Sequence, residues 1–128
     1  MPASAAVEVV REFWRCMASN DFSSVAAVLA PSFVLEWPQS KERIRGAERF
    51  ARMNHEYVAH GLWRFNLVRL IGGETEVVSE VEVSDGVQNA KAISFFTVEG
   101  CKITHLVEYW PEPYAAPATR AHLVEPME

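Results

Sequence analysis

Aspartate and cysteine are scarce in this 128-residue chain: the two aspartates are Asp21 and Asp85, the two cysteines Cys16 and Cys101. Neither cysteine has a partner at metal-ligand spacing or in a disulfide framework, so both read as packing residues or free thiols. The histidines, His55, His60, His105 and His122, form no HxH or HExxH pattern, and no metal is expected. Gly-x-Gly-x-x-Gly, Walker and Gly-x-Ser-x-Gly motifs are absent, which excludes those dinucleotide, phosphate and acyl-enzyme designs and leaves no cofactor expected. No long apolar run occurs near the N-terminus, where Glu8, Arg11 and Glu12 interrupt it; neither a signal nor a membrane span is expected, and a cytoplasmic location is. Lys and Arg number 12 against 17 Asp and Glu, giving a net charge of −5 with no basic stripe, so no nucleic-acid partner is expected.

What is present is apolar: 49% of residues are hydrophobic, enough for one continuous core and one domain over residues 1–128. Val7, Val10, Phe13, Trp14 and Met17 share a helical stripe, predicting an amphipathic helix over residues 4–18. Asn20 and Asp21 are expected to cap a second short helix bearing Phe22, Val25 and Val28, which Pro31 stops. Residues 32–37 read as a strand ended by Pro38, residues 40–45 as a polar turn. Gly46 then admits a third helix with Ala47, Phe50, Met53, Tyr57 and Val58 near one face, closed by Gly61. From Trp63 the period becomes two, and turns at Gly72-Gly73, Asp85-Gly86 and Gly100 separate four strands. The order α-α-β-α-β-β-β-β is an α+β architecture, with three helices against a curved, mainly antiparallel sheet. Residues 113–128, rich in proline, read as an extended arm.

The closing stretch Gly-Cys-Lys-Ile-Thr-His-Leu-Val-Glu-Tyr-Trp-Pro-Glu-Pro-Tyr, residues 100–114, puts aromatic, imidazole and carboxylate groups on one extended segment. It resembles the last strand of the SnoaL-like branch of the nuclear transport factor 2-like (NTF2-like) superfamily, as do residues 33–38 and 63–70 and the tail Ala-Pro-Ala-Thr-Arg-Ala. The resemblance implies a cone-shaped barrel with a ligand cavity, a homodimer through the sheet, and, by analogy with polyketide cyclases and ketosteroid isomerases, acid–base work beside a carbonyl. The Asp of those enzymes has no counterpart here, where Tyr109-Trp110-Pro111 stands, so the acid or base must be Glu or His.

Candidates for catalysis are His105, Glu108, Glu36 and Glu80. Glu36 interrupts the apolar Phe33-Val34-Leu35-Glu36-Trp37 and reads either as a carboxylate at the cone mouth or as one facing water. Glu80 and Glu82 share a face with Val78, opposite Ser79, Val81 and Val83; Glu80, in mid-strand, is the better inward candidate. Glu108 alternates onto a face with Thr104, Leu106 and Trp110, His105 onto the other with Ile103, Val107 and Tyr109, so without a bulge the two cannot share a pocket. Both faces are apolar, so one is expected against the helices and the other against a second subunit. His105 brings an imidazole to an apolar face, which suits a base, though a packed strand histidine is also a reading. Trp14, Trp37, His55, Tyr57, Trp63, Tyr109 and Trp110 are candidates for binding a flat hydrophobic or aromatic ligand, and core packing explains most of them as well. Two readings follow: a cofactor-free cyclase or isomerase, or a non-catalytic binder or dimeric scaffold. A trafficking module, the third, would need an exposed apolar patch and a shallow cone.

Overall fold

Helix α1 (Pro2–Ala18) turns the expected stripe inward: Val10, Phe13, Trp14 and Met17 are buried and Val7 is half-buried. The computed structural model describes residues 2–127. Phe13 sits at the centre of an aromatic cluster, with ring centroids 5.0 Å from Trp14, 5.8 Å from Phe50 and 5.2 Å from Phe96. Those contacts tie α1 to helix α2 (Ala47–Glu56) and to the sheet behind both. No described helix is long and apolar enough to cross a membrane.

Six strands form one open, curved sheet: β1 (Leu29–Trp37), β2 (Glu42–Arg45), β3 (Arg64–Gly72), β4 (Glu76–Ser84), β5 (Asn89–Glu99) and β6 (Lys102–Tyr109), in the order β2-β1-β6-β5-β4-β3. Every neighbouring pair is antiparallel except β1 with β6. Alternation sorts the side chains cleanly on β4, where Val77, Ser79, Val81 and Val83 are buried toward the helices.

Four local expectations are corrected. The segment after α1 is a 3-10 helix (Phe22–Val28) rather than an α-helix, and Asp21 makes no side-chain cap; the Ser24 hydroxyl donates to the Asp21 carbonyl instead. Pro31 does not stop that helix but lies inside β1, in the irregularity between the pairs Leu29↔Ile103 and Val34↔His105, where a missing N–H is tolerated. Residues 42–45, expected in a polar turn, are edge strand β2 against Val34 to Trp37; an edge strand with one apolar residue, Ile44, reads as polar sequence. Helix α2 ends at Glu56, and Tyr57 is already extended at φ −69°, ψ 131°, so Tyr57 and Val58 leave the helix without help from Gly61.

The tail beyond Trp110 is exposed and mostly irregular, with one 3-10 turn at Ala118–Arg120.

Candidate functional site

The pleat decides which candidates meet. A bulge on β6 shifts the register between Thr97↔His105 and Val98↔Ile103, leaving Thr104 as the extra residue. Ile103 therefore joins Leu106 and Glu108 on the buried face, a correction to the strict alternation that grouped Ile103 with His105. His105, Val107 and Tyr109 occupy the outer face.

Between the helices and the inner face of the sheet lies a cavity of about 740 Å³. Its walls are aromatic, with Trp14, Trp37, Trp63, Trp110, Phe50 and Tyr57 among them. Asn54, Gln39 and Gln88 bring amides to it. Glu108 is the one carboxylate lining it that is buried, 6% exposed, among the described residues. Trp37 and Trp110 each donate an indole N–H to its Oε1 at 3.2 Å, and the Ser94 hydroxyl donates to Oε2 at 2.9 Å. Burial pushes its pKa above the usual glutamate value, against the opposing pull of the bonds from Trp37, Ser94 and Trp110. An ionised carboxylate has about four acceptor positions, so three donors leave about one open, on Oε2.

The local sequence explains this placement. Ser79, Ser94 and Glu108 are paired positions on β4, β5 and β6 and form a polar row across the inner face. Trp14 from α1 donates its indole N–H to Ser79 Oγ at 3.0 Å. Trp37 ends β1 beside this row and Trp110 follows β6 directly. Sequence reasoning missed Ser79 and Ser94, although Ser79 stands among the valines of the apolar face of its strand; a small polar residue in a buried row was the available signal.

The remaining candidates lie elsewhere. Glu36 and His105 meet on the outer face, His105 Nε2 lying 2.8 Å from Glu36 Oε1, while Arg43 pairs with Glu36 Oε2 at 2.6 Å. The Arg43 bond, then the His105 bond, holds the Glu36 carboxyl below its usual pKa. Glu80 also faces outward, between Lys91 at 2.7 Å and Arg69 at 3.0 Å, and its pKa is lowered chiefly by Lys91. Tyr109 stacks edge-on against Phe95 at 6.1 Å on that same face. His55 is exposed at the end of α2, its ring edge-on to Phe22 at 5.3 Å. No three His, Cys, Asp or Glu side chains cluster as a metal site among the described residues.

The wall segment that carries Tyr57 and Trp63 is pinned at three points. Asn20 brackets the Trp63 main chain, accepting from its N–H and donating to its carbonyl, both at 2.8 Å. Asp85 accepts from the His60 N–H at 2.8 Å, and the Gln88 amide donates to the Val58 carbonyl at 3.2 Å. Burial alone would raise the Asp85 pKa, but the backbone N–H groups of Gln88, His60 and Val87 and the Gln88 amide outweigh it and hold this carboxyl well below its usual range.

Residues 10–106 match the family model of the SnoaL-like domain. No curated protein sequence matches the chain. Among solved structures it is similar to a proposed ketosteroid isomerase from Kribbella flavida DSM 17836, with a TM-score of 0.90 and 27% identity over 98% of this chain and 92% of that one. It is also similar to an NTF2-like protein of unknown function from Burkholderia xenovorans LB400, at TM-score 0.79 and 23% identity over 98% and 97% of the two chains. A proposed SnoaL-like polyketide cyclase from Jannaschia sp. CCS1 superposes with TM-score 0.71 at 14% identity, over 84% and 86%. At their lower identities, the last two likenesses speak to the fold alone.

Proposed function

The chain belongs to the SnoaL-like domain family and has the NTF2-like fold, and from that premise we propose that helices and sheet form a cone-shaped pocket in which Glu108 moves a proton on a hydrophobic, cyclic carbonyl compound. The observation that carries this reading is Glu108 itself: a desolvated carboxylate with an acceptor position to spare, at the wall of an aromatic cavity. Raising its pKa toward working pH makes it a stronger base when ionised and a usable acid once protonated.

In the step proposed, one Glu108 oxygen takes the proton alpha to the substrate carbonyl. The C–H electron pair becomes a carbon–carbon double bond, and the carbonyl π pair moves onto oxygen as an enolate. Tyr57 and Asn54 line the cavity and would donate to that oxygen, Asn54 through the amide hydrogen not used in its bond to the Phe50 carbonyl at 2.9 Å. Where the ketone is β,γ-unsaturated, the enolate is a dienolate and Glu108 returns the proton to its γ carbon, which is isomerisation; alternatively the enolate carbon attacks a second carbonyl of the same molecule, whose π pair moves onto its oxygen and takes the proton from Glu108, which is cyclisation. Either outcome balances without a redox partner. Trp14, Trp37, Trp63 and Trp110 supply the flat apolar contacts.

The test is deuterium uptake at the alpha carbons of cyclic ketones such as β-tetralone, followed by NMR in heavy water. The protein should accelerate uptake, and Glu108→Gln should slow it by roughly 10²–10⁴-fold while ketone binding, read by thermal shift, persists. Undiminished uptake with Glu108→Gln would sink the proposal. A second reading, a binder without turnover, draws on the three hydrogen bonds that hold Glu108 as an anchor; it predicts binding with no uptake by the unmodified protein.

We also infer a homodimer through the outer face. A groove there of about 590 Å³ is lined by Ile93, Phe95, Val107, Tyr109 and Pro111. The pairs Glu36–Arg43 and Glu80–Lys91 place both charge signs on that face, which keeps it compatible with its own copy. Light scattering should report a dimer that Phe95→Glu dissociates; a monomer at micromolar concentration removes the inference.

A further inference from the structure

We propose that the ligand for this cavity is a cation: a cyclic or aromatic amine, protonated at neutral pH, that also bears the reacting carbonyl. The inference rests on the reading of the cavity given above and narrows its substrate class.

The cavity is charged in one sense only. Glu108 lies in its wall, Glu42 and Glu112 also line it, and none of its described lining residues is Lys, Arg or His. Glu42 and Glu112 are exposed and form no ion pair among the described residues; Glu42 accepts only a hydrogen bond from the Ser40 hydroxyl, at 2.6 Å. Arg43, Lys91 and Arg69 are paired with Glu36 and Glu80 on the outer face, and Lys41, though it stands between the lining residues Ser40 and Glu42, does not itself line the cavity. An anion entering the cavity would therefore meet carboxylates in its lining and no cation there.

The apolar part of the wall suits a cation as well. Trp37 and Trp110 turn their N–H edges to the same oxygen of Glu108, which brings two indoles beside one carboxylate. Tyr57 and Trp63 stand edge to face at 5.9 Å in the same cavity. Indole and phenol faces attract ammonium groups through the ring quadrupole, most strongly where water is excluded. Carboxylates over low-dielectric walls focus a negative potential into the concavity and concentrate cations there. A neutral ketone gains the apolar contacts alone. An ammonium near the carbonyl also acidifies the alpha C–H inductively, which lowers the demand on Glu108 as base.

Three probes of one skeleton separate charge from shape: aminotetralin as the cation, β-tetralone as the neutral ketone and tetralin carboxylate as the anion. By calorimetry at neutral pH and low salt, aminotetralin should bind about tenfold more tightly than β-tetralone, and tetralin carboxylate should show no binding. The double variant Glu42→Gln with Glu112→Gln, both at exposed positions, should bring aminotetralin down toward the ketone and leave the ketone unchanged. Added salt should weaken aminotetralin alone. Aminotetralin no tighter than the ketone, binding of the carboxylate, or binding of none of the three would each overturn the proposal. Alpha-carbon exchange in β-tetralone is read independently: exchange without amine preference overturns only the charge assignment, and amine preference without exchange overturns only proton transfer by Glu108.

Discussion

Ser94 Oγ donates to Glu108 Oε2 at 2.9 Å between directly paired positions of β5 and β6. The contact is between neighbours in the sheet, so the register that builds the fold also sets the carboxylate. Two indoles from the ends of β1 and β6 then fix its other oxygen. Desolvation and hydrogen bonding oppose each other at this group, and desolvation wins, which leaves its pKa raised.

That balance predicts how stability depends on pH. Between the ordinary glutamate pKa and the raised folded value, the folded state holds a proton that the unfolded chain has released. Stability therefore falls as pH climbs through that window. Glu108→Gln lacks this term and keeps a carbonyl for the indoles. Its melting temperature should exceed that of the parent at neutral pH, by about 3–6 °C for each kcal/mol recovered. The two curves should converge below about pH 4. Circular dichroism melts across this range check it, and a parent more stable than the variant at pH 7 would show that hydrogen bonding, not desolvation, dominates.

Asn20 is placed to control the cavity from outside it. It sits at φ 63°, which Gly also adopts, so Asn20→Gly keeps the backbone and deletes the bracket around Trp63 together with a longer bond from the Asn20 amide to the Ala18 carbonyl, at 3.2 Å. The expected cost is about 1–2 kcal/mol in denaturant unfolding, with red-shifted tryptophan fluorescence and weaker binding of β-tetralone. Unaltered fluorescence would mean that Trp63 is held by its stack on Tyr57 alone.

The broad layout was legible because periodicity carries it: the stripe of α1 and the four period-two segments from Trp63 onward appear where the residues put them. Edge strand β2 was not legible, since one partly buried Ile44 among charges has no period. The site was legible in part. Parity separated Glu108 from His105, and most of the aromatic candidates were those that line the cavity. Parity alone did not say which face met the helices. Nor could local sequence show that Glu36 and His105, separated by 69 positions, meet on the outer face across the parallel β1–β6 pair. Long-range pairing of that kind has no signature in a single strand.

Asp85 supplies an acid-sensitive pin for the wall segment. Its lowered folded pKa makes a stability contribution that is present above the unfolded aspartate value, near pH 4, and lost as pH falls through the folded value. Asp85→Asn should flatten that part of the acid limb and lower the melting temperature at pH 7, because an amide turns donors toward N–H groups. Hydrogen exchange should show the His60, Val87 and Gln88 amides losing protection together, since all three donate to Asp85. Loss at Gln88 alone would confine the pin to its own turn.

Gly72 tests how closely α1 approaches the sheet. A Cβ at this position would lie 2.8 Å from Val7 Cγ2 and 2.8 Å from Val77 Cγ2, well inside van der Waals contact. Both neighbours are β-branched and stiff about χ1, so neither can swing away cheaply. Gly72→Ala should cost about 1–3 kcal/mol, whereas Gly73→Ala, with nothing within 4 Å of its Cβ, should leave packing undisturbed. Adding Val7→Ala should relieve part of the clash, giving a favourable coupling energy in a double-mutant cycle. Purely additive effects would place the strain in the backbone at the end of β3. A measured coupling would place it between α1 and β3, where the helix that carries Phe13 and Trp14 into the cavity wall meets the sheet.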